Sequence, residues 1–373
     1  MTYFHFLTKK AYKGKLSWIA ICISLLVVFI CLGFNIKNQH ADTLKGMAES
    51  QISMDTKQMR IYQKHNRGVA PEVKSDLIVN KRILKAIHNK QWRRAYRTQI
   101  AVNSQILKSE KQVSGSDPEM TNSLKSESNL YRALSRLNIP QQSEESPATG
   151  ISFLLYVEQW IAPILIVLTI VFICSQLHTK RFIGRLDKNS LLPITSTANV
   201  SCNIMTGWFI SLALLLIILG LGFLAASIIS GIGDTRYPFE LFSKQLSYKI
   251  YIPQSQIILP TIVLRILSSF FVVTFIFFFA VLTKKTLTTL FFNMLLLIGT
   301  NLLTPFVEPI SRIAQYLPTS YFNGVNILPN RMAHDASNYQ INYNHGIEAL
   351  MLWTVLFGIA SYILQSIRQR QNH

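Results

Sequence analysis

Two ionisable residues stand inside otherwise uncharged apolar stretches of this 373-residue chain, and they are its strongest chemical signal. Glu158 is the only charge between Ile151 and Leu177, and Arg265 the only one between Ile257 and Thr283. A charge surrounded by hydrocarbon is costly, so it is kept where it pairs, lines water or acts. At roughly 1.5 Å of helix rise per residue, Glu158 (about seven residues in) and Arg265 (about eight) lie about 10 to 12 Å deep from the outer face, in the orientation derived below. Equal depth and opposite sign predict an ion pair or a shared water-filled lining. The alternative is that Arg265 snorkels to the headgroups while Glu158 is protonated or meets its own aqueous crevice.

Other chemistry is missing from the sequence. The only Gly-Lys, Gly14-Lys15, is followed by Leu16 and has no glycine five positions before it, so there is no phosphate-cradling GxxxxGK[ST] loop. No HExxH, GxSxG or paired-cysteine motif occurs, and the eight histidines are scattered. Cys22, Cys31, Cys174 and Cys202 all lie in or beside apolar runs, which reads as small side chains packed between helices. The expectation is a chain with no catalytic residues, no metal and no cofactor of its own.

The elements that carry Glu158 and Arg265 come from the segregation of residue types. The chain is 49% hydrophobic yet has 37 Lys+Arg against 18 Asp+Glu, with apolar residues and charges in separate blocks. Six uncharged or nearly uncharged runs reach the length of about 20 residues that a bilayer core requires. They are Leu16 to Phe34, Ile151 to Leu177, Val200 to Ile232, Ile257 to Thr283, Thr286 to Val307 and Ala349 to Ile367. None alternates as a barrel strand does, so each reads as a helix that satisfies its own backbone in lipid. The predicted fold is an all-α membrane protein with six transmembrane helices and a mainly helical domain between the first and second. Lys9, Lys10, Lys13 and Lys15 give the first run the look of a signal peptide. Its apolar stretch is too long for one, and Gly33-Phe34-Asn35 offers no small-x-small cleavage site.

Basic residues set the orientation. With the N-terminus inside, the inner segments hold twelve Lys/Arg and one acid, Asp187, while the short outer loops hold five Lys/Arg and four acids. Both termini are therefore expected in the cytoplasm of a multi-pass cell-membrane protein. The boundaries follow: 1–15 as an interfacial helix, 16–36 as the first span, 37–150 as an extracellular domain, and 151–367 as a five-helix region. Within the last lie an inner segment at 178–199 and outer loops at 233–256 and 308–346, and 368–373 forms an inner tail.

In the 37–150 domain, Leu77, Leu84, Ile87, Trp92, Tyr96 and Ile100 recur at largely helical steps behind a Ser75-Asp76 cap signal. The single five-residue step hints at a helical hairpin broken near His88 to Lys90. A shorter helix fits Thr121 to Leu137, between loops at Ser114 to Glu119 and Pro140 to Gly150. The domain has 19 Lys/Arg and 11 Asp/Glu. This surplus reads as a solvated face or a surface for anionic lipid headgroups or acidic wall polymers, and no zinc or RNA-binding signature supports nucleic acid.

Smaller features complete the membrane region. Gly220 and Gly222, near Ala225 and Ala226, predict close helix contact. Phe270 to Phe279 predicts lipid-facing or inter-helix packing, or an apolar path. Pro305 and Pro309 bracket Glu308, and a break there would let the next segment re-enter or cap the mouth.

One helix, a long outer domain, then five helices with both ends inside is similar to the permease subunits of type-2 ATP-binding-cassette (ABC) transporters, especially those of Gram-positive bacteria. AIHNKQWRRAYRTQI at 86–100, RFIGRLDKNSLLPITSTANVSCNIMTGWF at 181–209 and YLPTSYFNGVNIL at 316–328 resemble stretches of such permeases. The layout covers nearly the whole chain and the local matches about a fifth of it. The N-terminal TYFHFLTKKAYKGKLSWI at 2–19 resembles the family's elbow helix, and its mixture of aromatics and lysines suits a membrane interface.

The resemblance implies an exporter of two six-helix permeases, identical or related, with two cytoplasmic ATPases that bind ATP and magnesium. It implies alternating access, a peptide or other small amphipathic substrate such as an antimicrobial, and Glu158 and Arg265 on the translocation pathway. It places a coupling helix at Arg181 to Leu192, where Arg181, Arg185, Asp187, Lys188, Leu191 and Leu192 meet the ATPase. The plainer reading of those charges is that they enforce topology. A rival function is a membrane sensor whose basic outer domain captures a ligand.

Overall fold

The computed structural model describes residues 2–12, 15–65, 70–112, 117–183, 186–188 and 195–371. Among them six helices are long and apolar enough to cross a membrane: Ser17–Asn38, Gly150–Thr179, Ser196–Ser230, Ser255–Thr283, Thr286–Leu303 and Tyr343–Ile367. The chain is an all-α, multi-pass membrane protein, and strands among the described residues are confined to two small hairpins. Polar residues such as Ser, Thr and Asn prolong several of these helices past the apolar runs, because a helix end meets water without losing its hydrogen bonds.

The chain divides into two compact units, Met1–Ile30 with Phe153–Ala225 and Ile257–His373, and Cys31–Ser152 with Ala226–Gln256. The second unit is built on four helices, Leu44–Lys64, Pro71–His88, Trp92–Gln112 and Pro118–Leu137. Local chemistry sets their ends. Thr43 caps the first of them by accepting from Gly46 N, and a Cβ at position 46 would collide with the carbonyl oxygen of His40. Asp117 caps the fourth ahead of Pro118, and Asn138 ends it in the left-handed conformation. The expected break in the hairpin lies at Asn89 to Gln91, where Lys90 has φ 57°. The first helix is an addition to the sequence reading: its buried residues are few (Leu44, Ala48 and Asp55), so it carries little apolar periodicity.

The core of this unit gathers Ile83, Ile87, Ala95, Tyr96, Leu130, Tyr131 and Leu134. The rings of Tyr96 and Tyr131 stack at 5.6 Å, with Tyr96 Oη donating to Ile139 O at 2.8 Å. The segment read as the outer loop 233–256 belongs to the same unit. Its hairpin of Pro238–Leu241 with Ile250–Pro253 packs alongside Tyr237, which is buried in this core and exchanges hydrogen bonds with the Gln142 backbone. Lys249 ties the hairpin to the fourth helix through Ser126 and Asn129.

In the first unit the helix Thr2–Tyr12 forms as expected, with Phe4 meeting Phe209 edge to face and Leu7 buried. The glycine pair of the third span divides in role. Gly222 faces Val28 so closely that a Cβ would lie 3.1 Å from it, whereas Gly220 has open space beside it. The phenylalanine run packs between helices: Phe271 and Phe277 are buried, and Phe275 meets Phe357 of the last span edge to face.

Two spans are not uniform α-helices. The second holds a π-helical segment, Val157–Ile166, between Gly150–Tyr156 and Val167–Thr179, and the fifth holds one at Met294–Gly299. After the fifth span the chain folds back as short helical turns through Ala314–Tyr316, Pro318–Tyr321 and Gly324–Ile327.

Candidate functional site

Glu158 lies in the π-helical segment of the second span and Arg265 in the fourth span, 5% and 7% exposed. Arg265 donates through Nε at 2.8 Å and Nη2 at 2.6 Å, both to Glu158 Oε2. Of the two sequence-level alternatives the geometry takes the direct pair. The two residues are 107 apart in sequence, so the contact is made by packing of spans and not by local chain geometry. A buried pair of this kind is a poor source of net stability, since desolvation offsets the attraction, but breaking one partner strands the other.

Pro163 explains why polar groups collect here. It lies inside the π-helical segment and brings no N–H to the preceding turn. The carbonyls of that turn, Glu158 and Gln159, are met by side chains from elsewhere: Arg265 Nη2 reaches Glu158 O at 3.5 Å, and Asn323 Nδ2 donates to Gln159 O at 2.6 Å. The Gln159 side chain in turn donates to Asn326 Oδ1 at 2.8 Å. Backbone groups freed inside a span must be satisfied by neighbours, and here the Arg265 guanidinium and the Asn323 amide do it. Arg331 lies over the Trp160 ring at 5.1 Å, adding a cation–π contact to the same turn.

The partner residues Asn323 and Asn326 belong to the folded-back segment, which is anchored on four spans. Besides Gln159 in the second, Ser268 of the fourth donates to Tyr321 O, Asn301 of the fifth to Thr319 O, and Trp353 of the last to Tyr316 O. Gly324 lets it close on the fourth span, where a Cβ would lie 3.2 Å from Thr261 Cα. Gly346 lies against Tyr321, where a Cβ would come within 2.6 Å of the ring. The segment that follows Pro305 and Pro309 thus packs against the spans and is tied to the turn that carries Glu158.

A second polar cluster involves the predicted coupling segment and corrects it. A helix was expected over Arg181 to Leu192. The described residues instead form a minimal antiparallel hairpin, Phe182–Ile183 with Leu186–Asp187, and Lys188 N donates to Arg181 O at 3.0 Å. Arg181 and Asp187 were expected to meet the ATPase surface and are buried within this chain, at 3% and 8% exposure. The cause is electrostatic. Arg181 Nη2 approaches Asp187 Oδ2 at 3.7 Å and donates to Gln365 Oε1 at 3.0 Å, while its guanidinium rests on the rings of Phe182 and Phe277. Gln365 also donates to Asp187, at 3.3 Å, so the hairpin is tied to the last span. Of the three described charges between 181 and 192, Lys188 alone is exposed. Arg185, Leu191 and Leu192 lie outside the described residues.

No family model, curated protein or solved structure matches the chain. Its function is therefore argued from its own residues. Sequence reading found Glu158 and Arg265 but missed Gln159, Asn323, Asn326 and Gln365. The available signal was Pro163, whose missing donor in a span demands outside partners. Among the described residues no group of three or more His, Cys, Asp or Glu could hold a metal ion.

Proposed function

We propose that the chain is the permease subunit of an ATP-driven transporter of the ABC type, exporting an amphipathic peptide or antimicrobial and drawing energy from a separate cytoplasmic ATPase. The observation that carries this is the buried Glu158–Arg265 pair at a π-helical turn whose carbonyls are held by the folded-back segment. π-helical turns inside α-helices are frequent at functional sites. A pair that is balanced only when both charges meet is suited to two arrangements of the spans, with transport accompanying exchange between them.

The Arg181–Asp187–Gln365 cluster supports the same reading at the other locus. In this proposal the exposed Lys188 and its neighbours contact the ATPase, and the buried Arg181–Gln365 bond conveys displacement of the hairpin to the last span. The coupling role thus divides between an exposed contact and a buried transmitter. The second permease, identical or related, completes the pathway, and both termini face the cytoplasm.

The test is export itself. Cells lacking the chain are expected to retain the peptide and lose resistance to it, and Glu158→Gln is expected to reproduce that loss when export is normalised to the amount of the variant in the membrane. Unchanged peptide export and resistance in cells without the chain would sink the proposal.

A further inference from the structure

The second unit carries a shallow cavity, wide open to solvent and of about 700 Å³, at the turn between the helices Pro71–His88 and Trp92–Gln112. Its lining includes five cations, Arg82, Lys90, Arg93, Arg94 and Arg97, and no acid among the described residues. We propose that this cavity is a binding site for a ligand bearing two or more phosphate charges. The proposal does not depend on the transport reading.

Charge comes first. Among the described residues none of the five cations forms an ion pair with an acid, although the same unit contains acidic residues that pair elsewhere, such as Asp234 and Glu240. Like charges gathered in one concavity raise its potential and concentrate counter-ions there. Arg93 and Arg94 also occupy the first turn of their helix, which has no acid, and so add positive charge at its already positive end. An anion in the cavity relieves both effects.

Shape and chemistry narrow the class. Arg93 is held in place, with Nε donating to Ser135 O at 3.0 Å and its backbone N to Asn138 Oδ1 at 3.2 Å. Lys90 is held at φ 57° in the turn itself. Guanidinium forks match the paired oxygens of phosphate, and four of the five cations are arginines. Thr98, Gln91 and Asn138 add polar groups for oxygen atoms. Among the described residues no aromatic side chain lines the cavity on which a base would stack, which turns the reading away from single-stranded nucleic acid.

The same phosphate chemistry is offered by a soluble polyphosphate and by anionic lipid headgroups, and the experiment separates them. Full-length protein in phosphatidylcholine nanodiscs is titrated with inorganic pyrophosphate by calorimetry. Saturable binding is expected, weakened about tenfold or more in the Arg94→Gln/Arg97→Gln double variant. In a control, Lys57→Gln/Arg60→Gln, which changes exposed cations on another helix, affinity is expected to stay within about twofold. Absence of saturable binding, or equal losses in the two double variants, would overturn the site in favour of diffuse surface charge. Repeating the titration in nanodiscs containing phosphatidylglycerol sets the source. Weakened pyrophosphate binding identifies competing headgroups, and unchanged binding identifies a soluble ligand, with the site upheld in both cases.

Discussion

Glu158 and Arg265 are the residues on which the account depends most, and their pairing was legible because depth within a span can be counted from sequence. What could not be counted was the geometry of the bond, with both guanidinium nitrogens on one carboxylate oxygen. Removing one partner leaves a buried charge, a loss of about 3 to 5 kcal/mol. Glu158→Gln or Arg265→Leu alone is expected to lower the thermal unfolding midpoint of the detergent-solubilised protein well below that of the double Glu158→Leu/Arg265→Leu variant. Additive losses in the double variant would argue against a direct pair. Arg181 is the contrary case. Its sequence neighbourhood reads as an exposed basic loop, and only the fold brings Phe277 and Gln365, 96 and 184 positions away, around its guanidinium. Gln365→Leu removes an acceptor from that buried charge, so a loss of about 1 to 3 kcal/mol is expected from the same melts, against little effect for Lys188→Gln.

At the scale of elements, the six apolar helices and the hairpin at His88 to Lys90 followed directly from hydrophobic runs and periodicity. The helix Leu44–Lys64 did not, because it is largely polar, and neither did the π-helical register of the second span. Composition shows a proline in a run but not which carbonyl it leaves unmet. A double-mutant cycle tests that relation. Asn323→Ala is expected to cost about 1 to 3 kcal/mol, since it strands the Gln159 carbonyl. In a Pro163→Ala background the new backbone N–H supplies a donor, so the cost is expected to fall by about half or more. Loss of the Asn323 contact to Asn326 N is common to both backgrounds and cancels. Equal costs in the two backgrounds would dissociate Asn323 from the proline.

The helices of the second unit give a pH prediction. Burial pushes the phenols of Tyr96, Tyr131 and Tyr237 up from their ordinary value. A folded-state value raised above the unfolded one contributes stability below the unfolded value of about 10 and loses it as pH rises through that range. The unit is therefore expected to unfold in alkali together with ionisation of these phenols, followed by tyrosinate absorbance and far-ultraviolet circular dichroism. Full ionisation with helicity retained would contradict their burial.

For the molecule as a whole, segregation of apolar and charged blocks made the membrane class and the six spans readable. The division into units was only partly so. Residues 233 to 256 read as a loop between spans, yet together with 226 to 232 they join the hydrophilic domain because Tyr237 completes its core, a contact between positions too distant for periodicity to reveal. The sequence has no phosphate-cradling loop, so the proposed transport requires ATP hydrolysis by a separate subunit. The most direct measurement is ATP hydrolysis by the tagged chain purified from membranes with whatever P-loop ATPase accompanies it. The account predicts a stoichiometric ATPase whose activity in liposomes rises with transported peptide, falls when this subunit is omitted, and is uncoupled from transport by Glu158→Gln. Purified chain with no associated ATPase, or an associated ATPase indifferent to its presence, would contradict it.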